Sequence, residues 1–349
     1  MRIGLIAPPW LPVPPPAYGG TEAVIDRLAR GFVNAGHELL LWTTGDSTCP
    51  VPRQHVLDVS ESARMGAAAI ELYHLIRGYE AVREWGADIV HDHTLAGPVY
   101  AQRFPDLPVV TTNHGPFNNE LVALYGAIAD HVPIIAISHD QARRAEAIPI
   151  AGVIHHGLEV ELFPFGDGQG DERGPYFIFL GRMAPEKGAR RAAVAAREAG
   201  VRLLIAAKMQ EPLEIQFFEE EVQPLLDDQV EFIGEVGEDK VALLGGATAL
   251  LNPIRWHEPF GLVMIEALAC GTPVVTFKEG SAPELIDDGV TGYLCDEDDE
   301  LVDRISEVKA LDRHACRVAA EERFSMRRMV QEHLDLFERI IAQHPRTGG

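Results

Sequence analysis

The sequence predicts an α/β protein with two doubly wound, parallel-sheet domains. Short apolar runs rich in β-branched residues alternate with longer segments of helical periodicity, which is typical of parallel strands joined by crossover helices. The alternation stops in the glycine-rich stretch 164–175 and then begins again. The length of 349 residues fits two domains of roughly 150 residues each.

The first half contains enough predicted strands for a complete open sheet. Each strand is a short apolar run, and the segments between the strands repeat apolar residues at helical spacing. The predicted strands are residues 3–7, 38–43, 89–91, 109–112, 134–137 and 153–155. The predicted helices are residues 21–35, 62–85, 119–129 and 139–147.

The second half repeats this pattern. Its predicted strands are residues 176–180, 202–206, 230–233, 249–252 and 273–276. Its predicted helices are residues 186–199, 213–226, 239–245, 261–269 and 301–309, with further helix over 312–343. We therefore expect domains at residues 1–163 and 176–325, with 164–175 as the linker between them.

The composition argues against nucleic acid and membranes as partners. The chain has 30 Lys and Arg against 53 Asp and Glu, and its net charge of −23 opposes approach to phosphate backbones and anionic lipids. No segment reaches the ~18 uninterrupted apolar residues of a membrane span. Because Cys49, Cys270, Cys295 and Cys316 lie far apart and form no C-x-x-C pair, a reducing cytoplasm is the expected location.

Two segments combine features that bind anions. Gly19 and Gly20 precede the first predicted helix, so the backbone there is able to approach a ligand and the helix start favours negative charge. Arg182 and Lys187 lie between a strand and a helix, where two cations would bind a diphosphate. The alternatives are a loop that merely needs glycine and a surface ion pair between Glu186 and Lys187.

A third segment opens a helix after a predicted strand and carries two carboxylates. Glu258 lies in the loop, and Glu266 lies eight residues later inside the helix. We expect Glu258 to accept hydrogen bonds from sugar hydroxyls and Glu266 from ribose hydroxyls; a helix cap and an internal ion pair are the alternatives. Backbone N–H groups at the helix start form a second anion site, and they belong to Phe260, Gly261, Leu262 and Val263.

Histidines cluster at the carboxyl ends of strands in the first half. His91 and His93 share one face of their strand and Asp92 points away, whereas His114 follows another strand. These residue types also bind metal ions, but no H-x-x-x-H helix supplies further ligands, so we expect no metal site. We assign Asp92, His93 and Tyr18 to the acceptor side.

Taken together and in order, these motifs resemble the retaining glycosyltransferases of family four, which have the GT-B fold. The glycine pair, His114 in Asn-His-Gly, the Arg182–Lys187 segment and the E-x₇-E of Glu258 and Glu266 carry the resemblance. The resemblance implies two Rossmann-like domains facing a central cleft and a final helix, 326–343, that crosses back to the first domain. It also implies retaining, metal-independent transfer of a hexose from a nucleoside-diphosphate sugar, UDP- or GDP-linked, to an acceptor hydroxyl without a cofactor.

The resemblance assigns a role to each site residue. Arg182 and Lys187 would hold the diphosphate with amides near Gly19, Gly20, Leu262 and Val263, and His114 would lie beside the anomeric carbon. Glu258 would bind the sugar, Glu266 the ribose, and the backbone of Glu235 and Val236 the base. Two positions depart from the family pattern and leave a role open: His155 and His156 replace Pro-Asn before Gly157, and Lys208 lies where Gly-x-Gly is frequent.

Other functions remain as alternatives at this point. A GT-B nucleotide-sugar epimerase or phosphorylase would bind the same donor, and so would a non-catalytic nucleotide-sugar-binding protein. A nicotinamide dehydrogenase is disfavoured because no G-x-G-x-x-G follows the first predicted strand.

Overall fold

The computed structural model describes residues 1–17, 19–237 and 239–344, and the chain divides into two compact units. Unit 1 contains Met1–Leu158 and the chain from Met326 onward; unit 2 contains Glu159–Ser325. Among the described residues, no helix combines the length and the apolar character that crossing a membrane requires.

Unit 1 is built on a parallel sheet that has seven strands within its described residues. The spatial order is β3-β2-β1-β4-β5-β6-β7, so the chain winds outward in both directions from β1. The strands are β1 (Arg2–Ile6), β2 (Glu38–Thr43), β3 (Arg53–His55), β4 (Ile89–Asp92), β5 (Val109–Thr112), β6 (Ile134–Ala136) and β7 (Ile150–Val153). The helices that connect them are α1 (Gly20–Asn34), α2 (Ala68–Trp85), α3 (Gly97–Tyr100), α4 (Asn119–Gly126) and α5 (His139–Arg144).

The structure confirms the strand-helix alternation of the first half, but several elements differ. The helix predicted over 62–85 begins at Ala68, after a 3₁₀ turn at Ser62–Arg64, and α3 was not predicted. The edge strand β3 was missed because its three residues, Arg-Gln-His, are exposed and show no apolar pattern. The last strand begins at Ile150 rather than at residue 153, and it pairs with β6. Edge strands carry the weakest hydrophobic signal because one side has no neighbour.

Unit 2 contains the second parallel sheet, in the spatial order β10-β9-β8-β11-β12-β13. Its strands are β8 (Phe177–Arg182), β9 (Leu203–Lys208), β10 (Val230–Gly234), β11 (Leu250–Asn252), β12 (Val274–Phe277) and β13 (Gly292–Cys295). Its helices are α6 (Ala189–Ala199), α7 (Pro212–Phe217), α8 (Lys240–Gly246), α9 (Leu262–Ala269), α10 (Ala282–Leu285), α11 (Asp298–Glu307) and α12 (Arg313–Arg323). The edge strand β13 was missed in the sequence.

Two predicted helices of unit 2 differ in extent from the observed ones. The single helix predicted over 213–226 is α7 followed by a π-helical stretch, Phe218–Val222, and a short 3₁₀ turn. Helix α11 begins at Asp298, three residues before the predicted start. The acidic residues of its first turn stabilise that helix start through the helix dipole.

Alanines let α6 lie close to the second sheet. Ala192, Ala193 and Ala196 are fully buried in the core that this helix forms with β8 and β9. In unit 1, Tyr79 of α2 and Trp42 of β2 fill the equivalent space between helix and sheet. Each unit therefore has a hydrophobic core of its own.

The glycine-rich stretch 164–175, predicted as a linker, is packed onto unit 2. The backbone N–H of Gly166 donates to the carbonyl of Cys270 at 2.9 Å, and that of Gly168 donates to Gly245 at 3.2 Å. Lacking side chains, these glycines approach another backbone closely enough for main-chain hydrogen bonds. The glycine content of the sequence indicates that the backbone of this segment is conformationally permissive, but it does not identify the backbone groups that the segment contacts.

The final helix, α13 (Met326–Gln343), packs against α1 of unit 1, which confirms the predicted return to the first domain. The rings of Phe32 and Phe337 lie 5.6 Å apart in this contact. The Arg328 guanidinium donates to the carbonyls of His155 and His156 at 2.7 and 3.1 Å.

Because α1 and α13 pack closely at Gly31, we expect the effect of Gly31→Ala on stability to depend on the residue at position 330. A Cβ added to Gly31 would lie 2.3 Å from Cγ2 of Val330. We expect Gly31→Ala to lower the free energy of unfolding by about 1–3 kcal/mol through overpacking. With Val330→Ala already present, the same change should raise stability by up to about 1 kcal/mol through helix propensity.

Urea unfolding of the four proteins in this double-mutant cycle measures both effects. The same destabilisation by Gly31→Ala in both backgrounds would contradict the packing of α13 on α1.

Candidate functional site

The cations Arg182 and Lys187 lie at the carboxyl edge of the second sheet, as expected for a ligand site in a doubly wound fold. Arg182 ends β8, and Lys187 ends the 3₁₀ turn Pro185–Lys187 that follows. Gly188 has a φ of +92°, and a Cβ there would lie 2.2 Å from the carbonyl oxygen of Pro253. Glycine at this position therefore lets the Lys187 turn rest directly on the loop after β11.

Lys187 and Glu258 form an ion pair that is largely shielded from solvent. The Lys187 ammonium contacts Oε2 of Glu258, and the two side chains are only 14% and 15% exposed. The indole N–H of Trp256 donates to the same Oε2 at 2.7 Å, and the ammonium lies 4.7 Å from the Trp256 ring centroid. The predicted diphosphate cation and the predicted sugar-binding carboxylate are thus in direct contact.

The loop of Glu258 is held by a serine that the sequence did not single out. Ser281 donates its backbone N–H to the Glu258 carbonyl at 3.1 Å and its hydroxyl to the Phe260 carbonyl at 2.5 Å. Ser281 is fully buried and precedes α10. This contact fixes the turn that leads into α9.

Arg182 is held between two carboxylates. Its Nη2 donates to Glu186 at 3.0 Å, and its Nε lies 3.5 Å from Oε1 of Glu214. Glu214 is buried, and its other oxygen accepts the backbone N–H groups of Gln210 and Glu211 at 2.9 and 3.1 Å. The sequence missed Glu214 because its partner comes from a different strand-helix unit.

Lys208 ends β9 in register with Arg182 on β8. Residues in register on adjacent strands project from the same face of a sheet. The carboxyl edge therefore carries a third cation at a position whose role the sequence left open.

The predicted nucleoside-binding residues flank the start of α9. Glu266 is buried inside that helix and accepts a hydrogen bond from the Lys240 ammonium at 2.9 Å. Gly261 precedes the helix, which begins at Leu262 and continues through Val263. Glu235 follows β10, next to Val236, and its exposed carboxylate accepts from Gln210 at 3.2 Å.

The glycine pair of unit 1 lies at the start of α1, which begins one residue earlier than predicted. Gly20 is the first residue of that helix, and Gly19 lies just before it. Tyr18 lies outside the described residues. Burial raises the pKa of Glu22, in the first turn of α1, to about 7.

The predicted histidines of unit 1 join a larger group. The rings of His91 and His93 lie 4.0 Å apart, and Nδ1 of His93 lies 2.7 Å from Nε2 of His114. Ring contacts link five histidines, which we call the histidine cluster: His91, His93, His114, His156 and His333. The sequence did not connect His156 and His333 to the site, because α13 brings His333 from the far end of the chain.

The histidine cluster is neutral at physiological pH. Burial lowers the pKa of His114 to about 3 and that of His333 to about 4. Burial also lowers the pKa values of His91, His93 and His156 well below the usual range, with neighbouring histidines adding to the effect. A charged imidazolium is therefore disfavoured throughout this group.

One arrangement of protons satisfies the His93–His114 hydrogen bond best. Nε2 of His93 is buried and has no hydrogen-bond partner among the described residues. Leaving a lone pair unpartnered there is cheaper than leaving an N–H unpartnered. Hence His93 carries its proton on Nδ1 and donates it to Nε2 of His114. Because Nε2 of His114 accepts this bond, the proton of neutral His114 is on Nδ1.

The structure contradicts the acceptor-side assignment of Asp92. Asp92 is fully buried, and its carboxylate accepts from the Tyr79 hydroxyl at 2.6 Å and from the Thr94 N–H and hydroxyl at 2.7 Å each. Burial raises its pKa to about 6. The alternation along β4 turns this side chain toward α2, so it supports the fold rather than a ligand.

Solved structures share this fold along nearly the whole chain. Sucrose-phosphate synthase from Thermosynechococcus elongatus superposes with a TM-score of 0.79 at 19% identity, covering 98% of this chain and 99% of that one. The Anabaena protein HepE, solved in complex with UDP and glucose, gives 0.75 at 19% identity, with 97% and 99% covered. These likenesses define the GT-B fold of glycosyltransferases, as the sequence predicted.

Family comparisons give the same class in more detail. The family described as Glycosyltransferase Family 4 matches residues 18–162, and Glycosyl transferases group 1 matches residues 166–323. D-inositol 3-phosphate glycosyltransferase from Mycolicibacterium smegmatis is 30% identical over 317 residues, which cover 76% of this chain and 72% of that protein. The chain belongs to the GT-B glycosyltransferases of family 4, which confirms the predicted family.

The neutral histidine cluster predicts that acid destabilises the protein. Histidines with pKa values lowered by folding bind protons more readily when unfolded, so stability is lost as the pH falls below about 6.5, the pKa of the unfolded histidines. Each should contribute about 1 kcal/mol of loss by pH 5.5. Glu22 and Asp92, whose pKa values are raised, act in the opposite sense but are outnumbered.

Calorimetric melting between pH 8.5 and 5.5 measures this dependence. We expect a nearly constant midpoint from pH 8.5 to 7.5 and a progressive fall below pH 6.5. A midpoint that stays level or rises down to pH 5.5 would show that the histidines are not held neutral.

Proposed function

We propose that this protein transfers a hexosyl group from a nucleoside-diphosphate sugar to an acceptor hydroxyl with retention of anomeric configuration. The contact of Lys187 with Glu258, beside Trp256 at the carboxyl edge of unit 2, is the observation that carries the proposal. A UDP-sugar is the first choice of donor, followed by a GDP-sugar. The HepE complex with UDP and glucose supports that order.

In this proposal unit 2 binds the donor along its length. Lys187 and Arg182 hold the diphosphate and stabilise the charge that develops on it as it leaves. The N–H groups at the start of α9 add partial positive charge. Glu258 binds hydroxyls of the sugar and Glu266 those of the ribose, and the backbone after β10, at Glu235 and Val236, meets the base.

The proposed reaction needs no dedicated base. The bond between the anomeric carbon and the phosphate oxygen breaks with its electrons going to the phosphate. The acceptor oxygen bonds to that carbon from the same face, and its proton passes to the departing phosphate oxygen. His114 acts here as a neutral hydrogen-bond donor beside the sugar, and the two cations replace a metal ion in balancing the diphosphate charge.

A small polar acceptor in the cytoplasm completes the proposal. The net charge of −23 opposes docking to anionic membranes. The relative named D-inositol 3-phosphate glycosyltransferase carries a phosphorylated polyhydroxy compound in its name, which supports an acceptor of that kind.

Removing the charge of Lys187 should abolish most transfer. We expect Lys187→Met to lower kcat about 100-fold or more with UDP-glucose or whichever donor is used, because stabilisation of the leaving diphosphate is lost. Lys309→Met, at an exposed lysine on the surface of unit 2, is the matched control and should keep the parent rate. Release of UDP and glycosylated product, followed over an acceptor panel, measures both.

A Lys187→Met protein that transfers sugar at the parent rate would contradict the diphosphate assignment. NMR of the product reports the anomer, and an inverted product would contradict retention. Turnover that needs phosphate, or that releases nucleotide without glycosylating any acceptor, would identify a phosphorylase or an epimerase instead.

A further inference from the structure

The two key side chains of unit 2 lie on separate loops that must keep a fixed distance. Lys187 lies on the turn after β8, and Glu258 lies on the loop after β11. Besides the Lys187–Glu258 pair and the packing of Gly188 on Pro253, the loops share a backbone hydrogen bond from the Arg255 N–H to the Glu186 carbonyl at 3.0 Å. That hydrogen bond fixes the spacing only in part, because a net hydrogen bond contributes only about 1 kcal/mol.

A side chain from α6 ties the same loops together. The Arg191 Nε donates to the carbonyl of Pro253 at 2.8 Å. Its Nη2 donates to the carbonyls of Pro185 and Glu186 at 3.2 and 3.3 Å. One guanidinium therefore bonds three backbone acceptors, two on the Lys187 loop and one on the Glu258 loop.

The chemistry of this contact requires arginine. The guanidinium presents its donors in a rigid planar fork, whereas a lysine ammonium is a single flexible point. Arg191 is half-buried, and burial lowers its pKa while leaving it charged. Without the guanidinium, the carbonyls of Pro185 and Pro253 lose the donor that they share.

We propose that Arg191 is a positioning residue that sets the separation of Lys187 from Glu258. This proposal rests on the proposed function. The spacing lets the diphosphate of one donor molecule contact Lys187 while its sugar contacts Glu258. Arg191 itself faces backbone carbonyls, so it acts through the two loops and not on the donor.

The neighbouring residue supplies a matched control. Arg190 precedes Arg191 on α6, and its exposed side chain pairs with Glu221 at 2.9 Å. Removing Arg190 deletes the same charge from the same helix turn and leaves the loops untouched. Arg191→Lys separates the effect of the charge from that of the fork.

The first measurement is spectroscopic and does not depend on activity. Trp256 donates its indole N–H to Glu258 beneath Lys187, so the ¹H–¹⁵N signal of that indole reports the geometry of the two loops. With the signal assigned by Trp256→Phe, we expect it to shift or broaden in Arg191→Ala and Arg191→Lys and to stay in place in Arg190→Ala. An unchanged signal in folded Arg191→Ala overturns the proposal.

The second measurement is kinetic. We expect both Arg191 variants to lower kcat about 10-fold or more with thermal midpoints close to the parent, and Arg190→Ala to remain within about twofold. Parent-like kcat in Arg191→Lys overturns the proposal, because it would show that charge alone suffices. If the Trp256 signal moves in the Arg191 variants but the parent protein transfers no sugar, the proposed function is overturned and the positioning role stands.

Discussion

The partly buried contact between the ammonium of Lys187 and the carboxylate of Glu258 is the interaction on which the site of unit 2 depends. Neither group is solvated well enough to stand alone, since their side chains are only 14% and 15% exposed. Separating such a pair leaves a poorly solvated charge, which is strongly unfavourable. The two residues therefore stay together until a third charged group replaces one of them. In the proposed function the donor's diphosphate is such a group, because it would pair with the ammonium and release the carboxylate toward the sugar.

The two units differ in electrostatic character at the residues singled out for function. In unit 2, Arg182, Lys187 and Lys240 each form an ion pair with a glutamate. Unit 1 brings together neutral imidazoles, among which burial lowers the pKa of His114 to about 3. In the proposed reaction, charge stabilisation thus comes from unit 2, while unit 1 contributes hydrogen bonds that do not change with protonation near neutral pH.

The sequence predicted most of the fold and the charged residues of the site for the same reason. Buried parallel strands are short apolar runs, and the loops that follow them carry polar residues that have no role in the core, such as Lys187 and Glu258. The missed strands, β3 and β13, lie at sheet edges, where one side has no partner and the apolar pattern is weak.

The residues that the sequence missed depend on tertiary contacts. Ser281 and Arg191 donate hydrogen bonds to backbone carbonyls of loops that are distant in sequence. Every residue has a backbone carbonyl, so the sequence does not show which of them accepts such a bond. Asp92 was placed on the acceptor side because it lies with His91 and His93 at the carboxyl end of a predicted strand. The Tyr79 hydroxyl donates a hydrogen bond to the Asp92 carboxylate, and Tyr79 lies on a helix whose packing only the structure shows.

UDP binding to a small set of variants tests the central contact most directly. We expect Glu258→Gln to bind UDP several-fold more tightly than the parent, because Lys187 no longer has a competing carboxylate. We expect Lys187→Met to bind it about tenfold more weakly, or ~1.4 kcal/mol. In Lys187→Met, adding Glu258→Gln should recover little of that loss. If titration calorimetry shows that Glu258→Gln weakens UDP binding as much as Lys187→Met does, Glu258 does not compete with the diphosphate for Lys187.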